Sequence, residues 1–175
     1  MTMSKKYTQI PTKAVTRMAP GEIVCGIDPG FARLGYAFIK FGPKPEMLEA
    51  KCIETSSQLE QASRINEIIS RLEEKIKSYS PSRIAIEKLF FAKNQKTAMK
   101  VAEMRGALLL LASSLSLEIK EYAPSEIKLA VAGSGSADKR AVSKMVGLTL
   151  RLKEMPKLDD VTDAIAVALC SLYSN

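Results

Sequence analysis

The sequence predicts one α/β domain of five strands and flanking helices. Three short apolar runs follow one another between residues 23 and 54, separated only by turn formers, and read as an antiparallel meander. Beyond residue 58, amphipathic helical patterns alternate with short apolar strands. The 175 residues, 46% apolar and 26% charged with both signs interspersed, are enough for one buried core and too few for two ordinary domains.

The first strand, Ile23 to Ile27, ends at Asp28-Pro29-Gly30, where proline's fixed φ and glycine's freedom make a turn. A second strand runs from about Leu34 to Phe41 and is broken by Gly42, Pro43 and Pro45; a third covers about Met47 to Glu54. From about Gln58 to Tyr79, Ile65, Ile68, Ile69, Leu72 and Ile76 recur at offsets of three, four, seven and eleven, the apolar stripe of a helix whose other face is charged. Pro81 restarts the chain into Arg83-Ile84-Ala85-Ile86-Glu87, which reads as a buried strand carrying a carboxylate to its C-terminal end. The next helix, about Asn94 to Leu115, is apolar on more than one side, notably over Ala107 to Ala112. One of its faces is expected to bury against the sheet and another against a partner subunit. A strand around Glu118 to Tyr122, a short helix after Pro124, a glycine–serine loop at 133–136 and helices near 138–150 and 158–173 complete the chain.

Composition narrows the chemistry. There is no histidine, so a serine–histidine–carboxylate relay and every histidine-ligated metal site are excluded. Carboxylates and hard metal ions are the tools that remain. Cys25, Cys52 and Cys170 are odd in number and far apart, without C-x-x-C spacing, which suits a reducing cytoplasm rather than a disulfide framework or a zinc site. No apolar run approaches the roughly 18 residues that a membrane-spanning helix needs, so no membrane role is expected. The net charge of +7, from 26 basic and 19 acidic residues, is compatible with a polyanionic partner. Four of those seven charges, Lys5, Lys6, Lys13 and Arg17, precede Glu22 with no acid among them, so the rest of the chain is only mildly basic. Residues 1–21 lack apolar periodicity and contain Pro11 and Pro20, and are expected to form a flexible basic tail. A targeting peptide ranks below that reading, because the stretch has one arginine and weak amphipathicity; Met18 or another internal methionine is an alternative start. Residues 22–175 make the domain.

Four carboxylates, Asp28, Glu87, Asp160 and Asp163, could be gathered at one point by such a fold. Asp160 and Asp163 stand at i and i+3 of a predicted helix and so share one face. Each has an ordinary reading when taken singly: Asp-Pro-Gly is turn chemistry, Glu87 a solvated strand end, and acids at a helix start complement its macrodipole. Their order along the chain changes the balance. Gly26-Ile27-Asp28-Pro29-Gly30 with Gly35-Tyr36, Ala85-Ile86-Glu87, Phe90-Phe91-Ala92-Lys93-Asn94, Gly133-Ser134-Gly135-Ser136-Ala137-Asp138-Lys139, and Asp160-Val161-Thr162-Asp163-Ala164-Ile165-Ala166 resemble, in order, the motifs of RuvC-type Holliday junction resolvases. The resemblance spans about residues 23 to 172. It implies a ribonuclease H-like fold, with a mixed five-stranded sheet in which the antiparallel meander is extended by parallel strands.

It also implies a homodimeric, metal-dependent endonuclease that nicks two strands of four-way junction DNA symmetrically, leaving a 5′-phosphate and a 3′-hydroxyl. A RuvAB-type branch-migration complex is the implied partner. Four ionised carboxylates in a partly buried site repel one another, and divalent cations relieve the repulsion. Mg2+ suits the oxygen donors, and two ions roughly 3.5–4 Å apart could stabilise both the attacking water and the leaving oxygen of a phosphodiester displacement. Asp28, fixed at a strand end, is the expected bridging ligand. Glu87 and Asp163 would hold the ions from either side, with Asp160 as ligand or proton acceptor. Asp159 is a rival to Asp160, and the motif match rather than the spacing selects Asp160.

For DNA, the resemblance assigns to Phe90 the stacking of an unpaired base, worth roughly 1–3 kcal/mol. Lys93 follows it, whereas Phe91 reads as core. Lys128, Lys139 and Arg140 are the expected phosphate contacts, with Lys144 extending the patch and Ser136 capping the helix that follows. Any one of these lysines alone would read as an ordinary solvated side chain. Two other classes compete. The Gly26-to-Gly30 run also resembles the first phosphate loop of sugar kinase and actin-like ATPases, but those need a second domain and a second loop. A non-catalytic DNA-binding module of the same fold would have lost its acids, and all four are present.

Overall fold

The predicted meander is formed by β1 (Ile23–Asp28), β2 (Arg33–Lys40) and β3 (Glu46–Glu54), paired antiparallel with Ile27 opposite Tyr36 and Gly35 opposite Cys52. After α1 (Gln61–Tyr79) the chain returns as β4 (Arg83–Glu87), parallel to β1, and after α2 (Gln95–Ser114) as β5 (Glu118–Tyr122), parallel to β4. Three helices follow: α3 (Pro124–Ala132), α4 (Lys139–Leu150) and α5 (Asp159–Tyr173). The sheet order is β3-β2-β1-β4-β5, the mixed five-stranded sheet the sequence predicts. The structure, a computed structural model, describes residues 18–30, 32–88 and 95–174.

Strand parity divides the core. Cys25, Ile27, Phe38, Ile84 and Ile86 pack with Ile68 and Leu72 of α1 and Met104 and Leu108 of α2 on one face. Val24, Ala37, Ile39 and Ala85 pack with Ile165 and Leu169 of α5 and with α3 and α4 on the other. Because side chains alternate along a strand, Asp28 shares the parity of Val24 and Gly26, and Glu87 that of Ala85. Both acids therefore project toward the α5 face. Among the described residues no helix is long and apolar enough to cross a membrane.

Four expectations need correction. Met18 is buried among α5-side core residues, and the Gly21 N–H donates to the Phe41 carbonyl at 2.8 Å, so residues 18–21 pack with the sheet rather than belonging to a tail. Residues 1–17 lie outside the described residues. Gly30 does not adopt a left-handed φ; a Cβ there would instead overlap the Arg33 carbonyl oxygen, so the turn needs glycine for space. Ser136 does not cap α4: Asp138 does, accepting a 2.7 Å hydrogen bond from the Ala141 N–H, while Ser136 Oγ pairs with Ser134 Oγ at 3.0 Å. α1 also begins at Gln61, later than the periodicity suggests, because Glu60 is still extended.

Candidate active site

Asp28 and Glu87 end neighbouring parallel strands. The register pairs Ile27 with Ile86, so the next residue of each strand stands beside the other, about 4.8 Å away across the sheet. α5 brings Asp160 and Asp163 over the same end from above. Glycine permits that approach: a Cβ at Gly35 would overlap the Asp160 carbonyl oxygen and lie 2.5 Å from the Asp160 carbonyl carbon, and one at Gly26 would overlap the Ala164 carbonyl and stand 2.6 Å from Ala168 Cβ. Ala164 and Ala168 are themselves fully buried, so the helix is seated on the sheet with only small residues between. The free N–H groups at the start of α5 add positive potential beneath the acids, since Leu158 offers no side-chain cap.

The four carboxylates feel one another. Asp28 is pushed up to about 7, first by burial and then by the charges of Asp163, Glu87 and Asp160, with Lys139 pulling the other way. Burial and Asp163 raise Glu87 against the opposing charges of Lys128 and Lys139. Asp163 is raised by burial, opposed by Lys139 and supported by Asp159 and Asp160. Two cations temper the cluster from its flanks. Lys139 Nζ lies 3.3 Å from Asp163 Oδ2 and 3.1 Å from Asp159 Oδ2. Arg33 Nε lies 2.8 Å from Asp160 Oδ2, yet that buried oxygen accepts no hydrogen bond of ordinary geometry.

This donor set suits a hard divalent cation. Its atoms are carboxylate oxygens, and burial together with their mutual repulsion holds Asp28 well above the usual carboxylate range, a strain that a bound cation would relieve. Among the described residues no three acidic or thiol side chains close tightly enough to enclose an ion in this conformation, so ligation requires the carboxylates to draw together. Beside them opens a cavity of about 270 Å³, with Glu87, Asp163, Lys128 and Lys139 at its polar end and Pro124, Ile127, Val142, Ala166 and Val167 as its wall. Asp28 and Asp160 lie outside that lining, on the β2 side of it.

Of the expected site residues, the fold thus gathers Asp28, Glu87, Asp160 and Asp163. It sets Lys128, half-buried on α3, and Lys139, the first residue of α4, at the cavity. Arg140 and Lys144 are exposed on α4. Phe90, Phe91 and Lys93 lie outside the described residues. The rivalry between Asp159 and Asp160 is decided by orientation: the Asp159 side chain is 74% exposed, whereas Asp160 is 17% exposed and coupled to Asp28. Sequence reasoning missed two residues. Arg33 opens β2 with the parity of Gly35, and Cys52 faces Gly35 across the β2–β3 pair, its thiol pushed up to about 11 by burial, Asp160 and Glu54. The five-residue spacing from Asp28 to a cation at the next strand's start was the available signal for Arg33.

Residues 24–171 match the family model described as crossover junction endodeoxyribonuclease RuvC. The RuvC of Alkaliphilus metalliredigens is 45% identical over 153 residues, 87% of this chain and 93% of that protein. The solved structure of Thermus thermophilus RuvC in complex with Holliday junction substrate superposes with a TM-score of 0.83 at 34% identity, covering 87% of this chain and 93% of that one. The yeast mitochondrial Holliday junction resolvase, at 13% identity and a TM-score of 0.67, shares the fold.

Proposed function

The chain belongs to the RuvC family of crossover junction endodeoxyribonucleases, and from that membership we propose that it is a Holliday junction resolvase, nicking four-way DNA junctions during recombination and repair. The observation that carries the reading is the approach of acids from three distant stretches of chain, Asp28, Glu87 and the pair Asp160 and Asp163, at one end of the sheet through the β1–β4 register and the close seating of α5 over Gly26 and Gly35. A shared cluster of this kind is what metal-assisted phosphodiester hydrolysis requires. Asp28, Glu87, Asp160 and Asp163 would hold magnesium, two ions per site in our assignment. Bound there, the ions would supply charge stabilisation for the attacking and leaving oxygens of the displacement, leaving a 5′-phosphate.

The chain's own residues do the rest. Asp28, fixed by β-pairing up to the last residue of its strand, serves as the central ligand, with Glu87 beside it. Lys139, which now answers Asp163 and Asp159, becomes available to a substrate phosphate once those acids find another counter-charge. Lys128 stands at the same cavity, and Arg140 extends the positive surface along α4. Phe90 and Lys93, in the segment before α2, are assigned to the unpaired bases and the backbone at the junction centre.

Two nicks related by two-fold symmetry need two sites, so the active form is a homodimer. α2 offers the surface: Met99 and Leu110 are 68% and 72% exposed, and with Gly106 they lie at helical spacing on one side. By analogy with the family we assign a RuvAB-type motor as partner and a cytoplasmic setting, a reading the three free cysteines support. The test is a synthetic four-way junction incubated with the protein and Mg2+ beside a linear duplex of the same arm sequence. Paired symmetric nicks in the junction alone, lost in Asp28→Asn while junction binding persists, are expected; equal cutting of the duplex would sink the resolvase reading.

A further inference from the structure

Among the described residues, the phosphate contacts assigned above, Lys128, Lys139 and Arg140, lie on one flank of the acids, on α3 and α4. On the other flank, beside β2, one cation stands at the acids among the described residues. Arg33 is the first residue of β2, two positions before the Gly35 that pairs with Asp28, so it stands beyond the end of β1 on the α5 face. Its side chain is 46% exposed. Among the described residues its one ion-pair partner is Asp160, met through Nε at 2.8 Å, which leaves the two Nη groups free of any such partner. Glu54, opposite it on β3, and Cys52 are the other titratable groups that act on it.

A guanidinium anchored by one edge and open along the other is pre-organised for bidentate binding of a phosphate. Its anchor is one of the four acids, so a phosphate held on the open edge would lie at the rim of the site, across the carboxylates from Lys139. We infer that Arg33 is a substrate-binding residue that grips a DNA backbone phosphate on the β2 side of the site, so that the strand crosses the carboxylates held from both flanks. The inference rests on the resolvase reading and deepens it. It also gives the Arg33–Asp160 pair a role: the same side chain fixes the rotamer of a ligating carboxylate and a phosphate of the strand to be cut.

Salt dependence separates a phosphate contact from a structural ion pair, because each phosphate neutralised contributes about 0.9 to the slope of log Kd against log salt. The experiment measures binding of a fluorescent four-way junction in EDTA, over a series of NaCl concentrations, by Asp28→Asn protein with Arg33, Arg33→Met or Arg33→Lys. Arg33→Met is expected to weaken binding about tenfold at low salt and to lower the slope by about 0.9 per Arg33 engaged, nearly two for a dimer using both. Arg33→Lys keeps the slope and recovers most of the affinity. A melting temperature for each variant shows that it is folded. If Arg33→Met binds with the parent's slope, the assignment of Arg33 is wrong even where affinity falls. If the Asp28→Asn parent binds no junction at all, the resolvase reading itself fails and this one with it.

Discussion

Gly35→Ala should disable the site without touching a charged group. The added Cβ would lie 2.5 Å from the Asp160 carbonyl carbon and 3.1 Å from Asp160 Cβ, with the carbonyl oxygen closer still. Carbon atoms pack at about 3.5–4.0 Å, so relief requires the first turn of α5 to rise by about 1 Å from β2. Both contacts are to backbone or to the first side-chain carbon, so no rotamer change can absorb the clash. Overpacking of this kind costs about 1–3 kcal/mol, and in a chain of this size that lowers the melting temperature by roughly 2–4 °C per kcal/mol. The functional cost should be larger in proportion, because a misplacement of about 1 Å at a reacting centre loses on the order of 100-fold in rate. Single-turnover cleavage of a four-way junction, beside thermal melts of both proteins, measures the two effects. Gly35→Ala protein that is folded, melts like the parent and cuts at the parent's rate would refute the argument that the Gly35 gap sets the height of Asp160 and Asp163.

Other perturbations give equally definite expectations. Asp28 holds its proton to about pH 7 in the folded chain and to about 3.9 when unfolded, so the folded state binds the extra proton between those values and stability falls as pH rises through that window, by up to roughly 4 kcal/mol. Urea titrations without divalent ions should show that fall in the parent and its loss in Asp28→Asn; Mg2+ should restore stability at pH 8 only in the parent. Glu49 has the opposite sign: burial would raise it, but the Tyr36 hydroxyl, Lys75 and Lys51 outweigh that and hold it near 2, so its contribution disappears as the pH falls below about 4, and Glu49→Gln should flatten only that acid limb. Leu110→Asp places a charge on the exposed stripe of α2 and should convert the proposed dimer to monomer in sedimentation velocity; a parent that is itself monomeric refutes the dimer, and a variant that stays dimeric moves the interface elsewhere. Arg64 and Thr55 both donate to the Ala32 carbonyl, closing the turn between Asp28 and Arg33, so Arg64→Met should cost about 1–3 kcal/mol in chemical denaturation.

The secondary structure was legible because its signals were local. Arg83 to Glu87 is a short apolar run set off by Pro81 and closed by an acid, and the apolar stripe of α1 from Ile65 to Ile76 repeats through about three turns, so local pattern alone assigned both. Met18 carried no such signal, since one apolar residue before a proline has no period and its burial depends on α5. Two cap formers, Ser136 and Asp138, compete two residues apart, and the helix start that decides between them is fixed by packing of Val142 and Val146. The meeting of Asp28 with Glu87 depends on β1 pairing with β4, a strand order that no spacing encodes; only the resemblance of ordered motifs supplied it. Arg33 stayed hidden for a related reason. Its neighbour in space, Asp160, is brought to it by the Gly35 contact, which is invisible until α5 is docked.

The central claim, that acids from β1, β4 and α5 act together as one cation site, is tested most directly by soaking crystals of the protein in MnCl2 and measuring anomalous scattering. The account predicts peaks within coordinating reach, on the order of 2 Å, of Asp28 and of Glu87 or Asp163, and their disappearance in Asp28→Asn crystals. Manganese bound elsewhere, or bound to Glu87 and Asp163 unchanged when Asp28 is replaced, would contradict it.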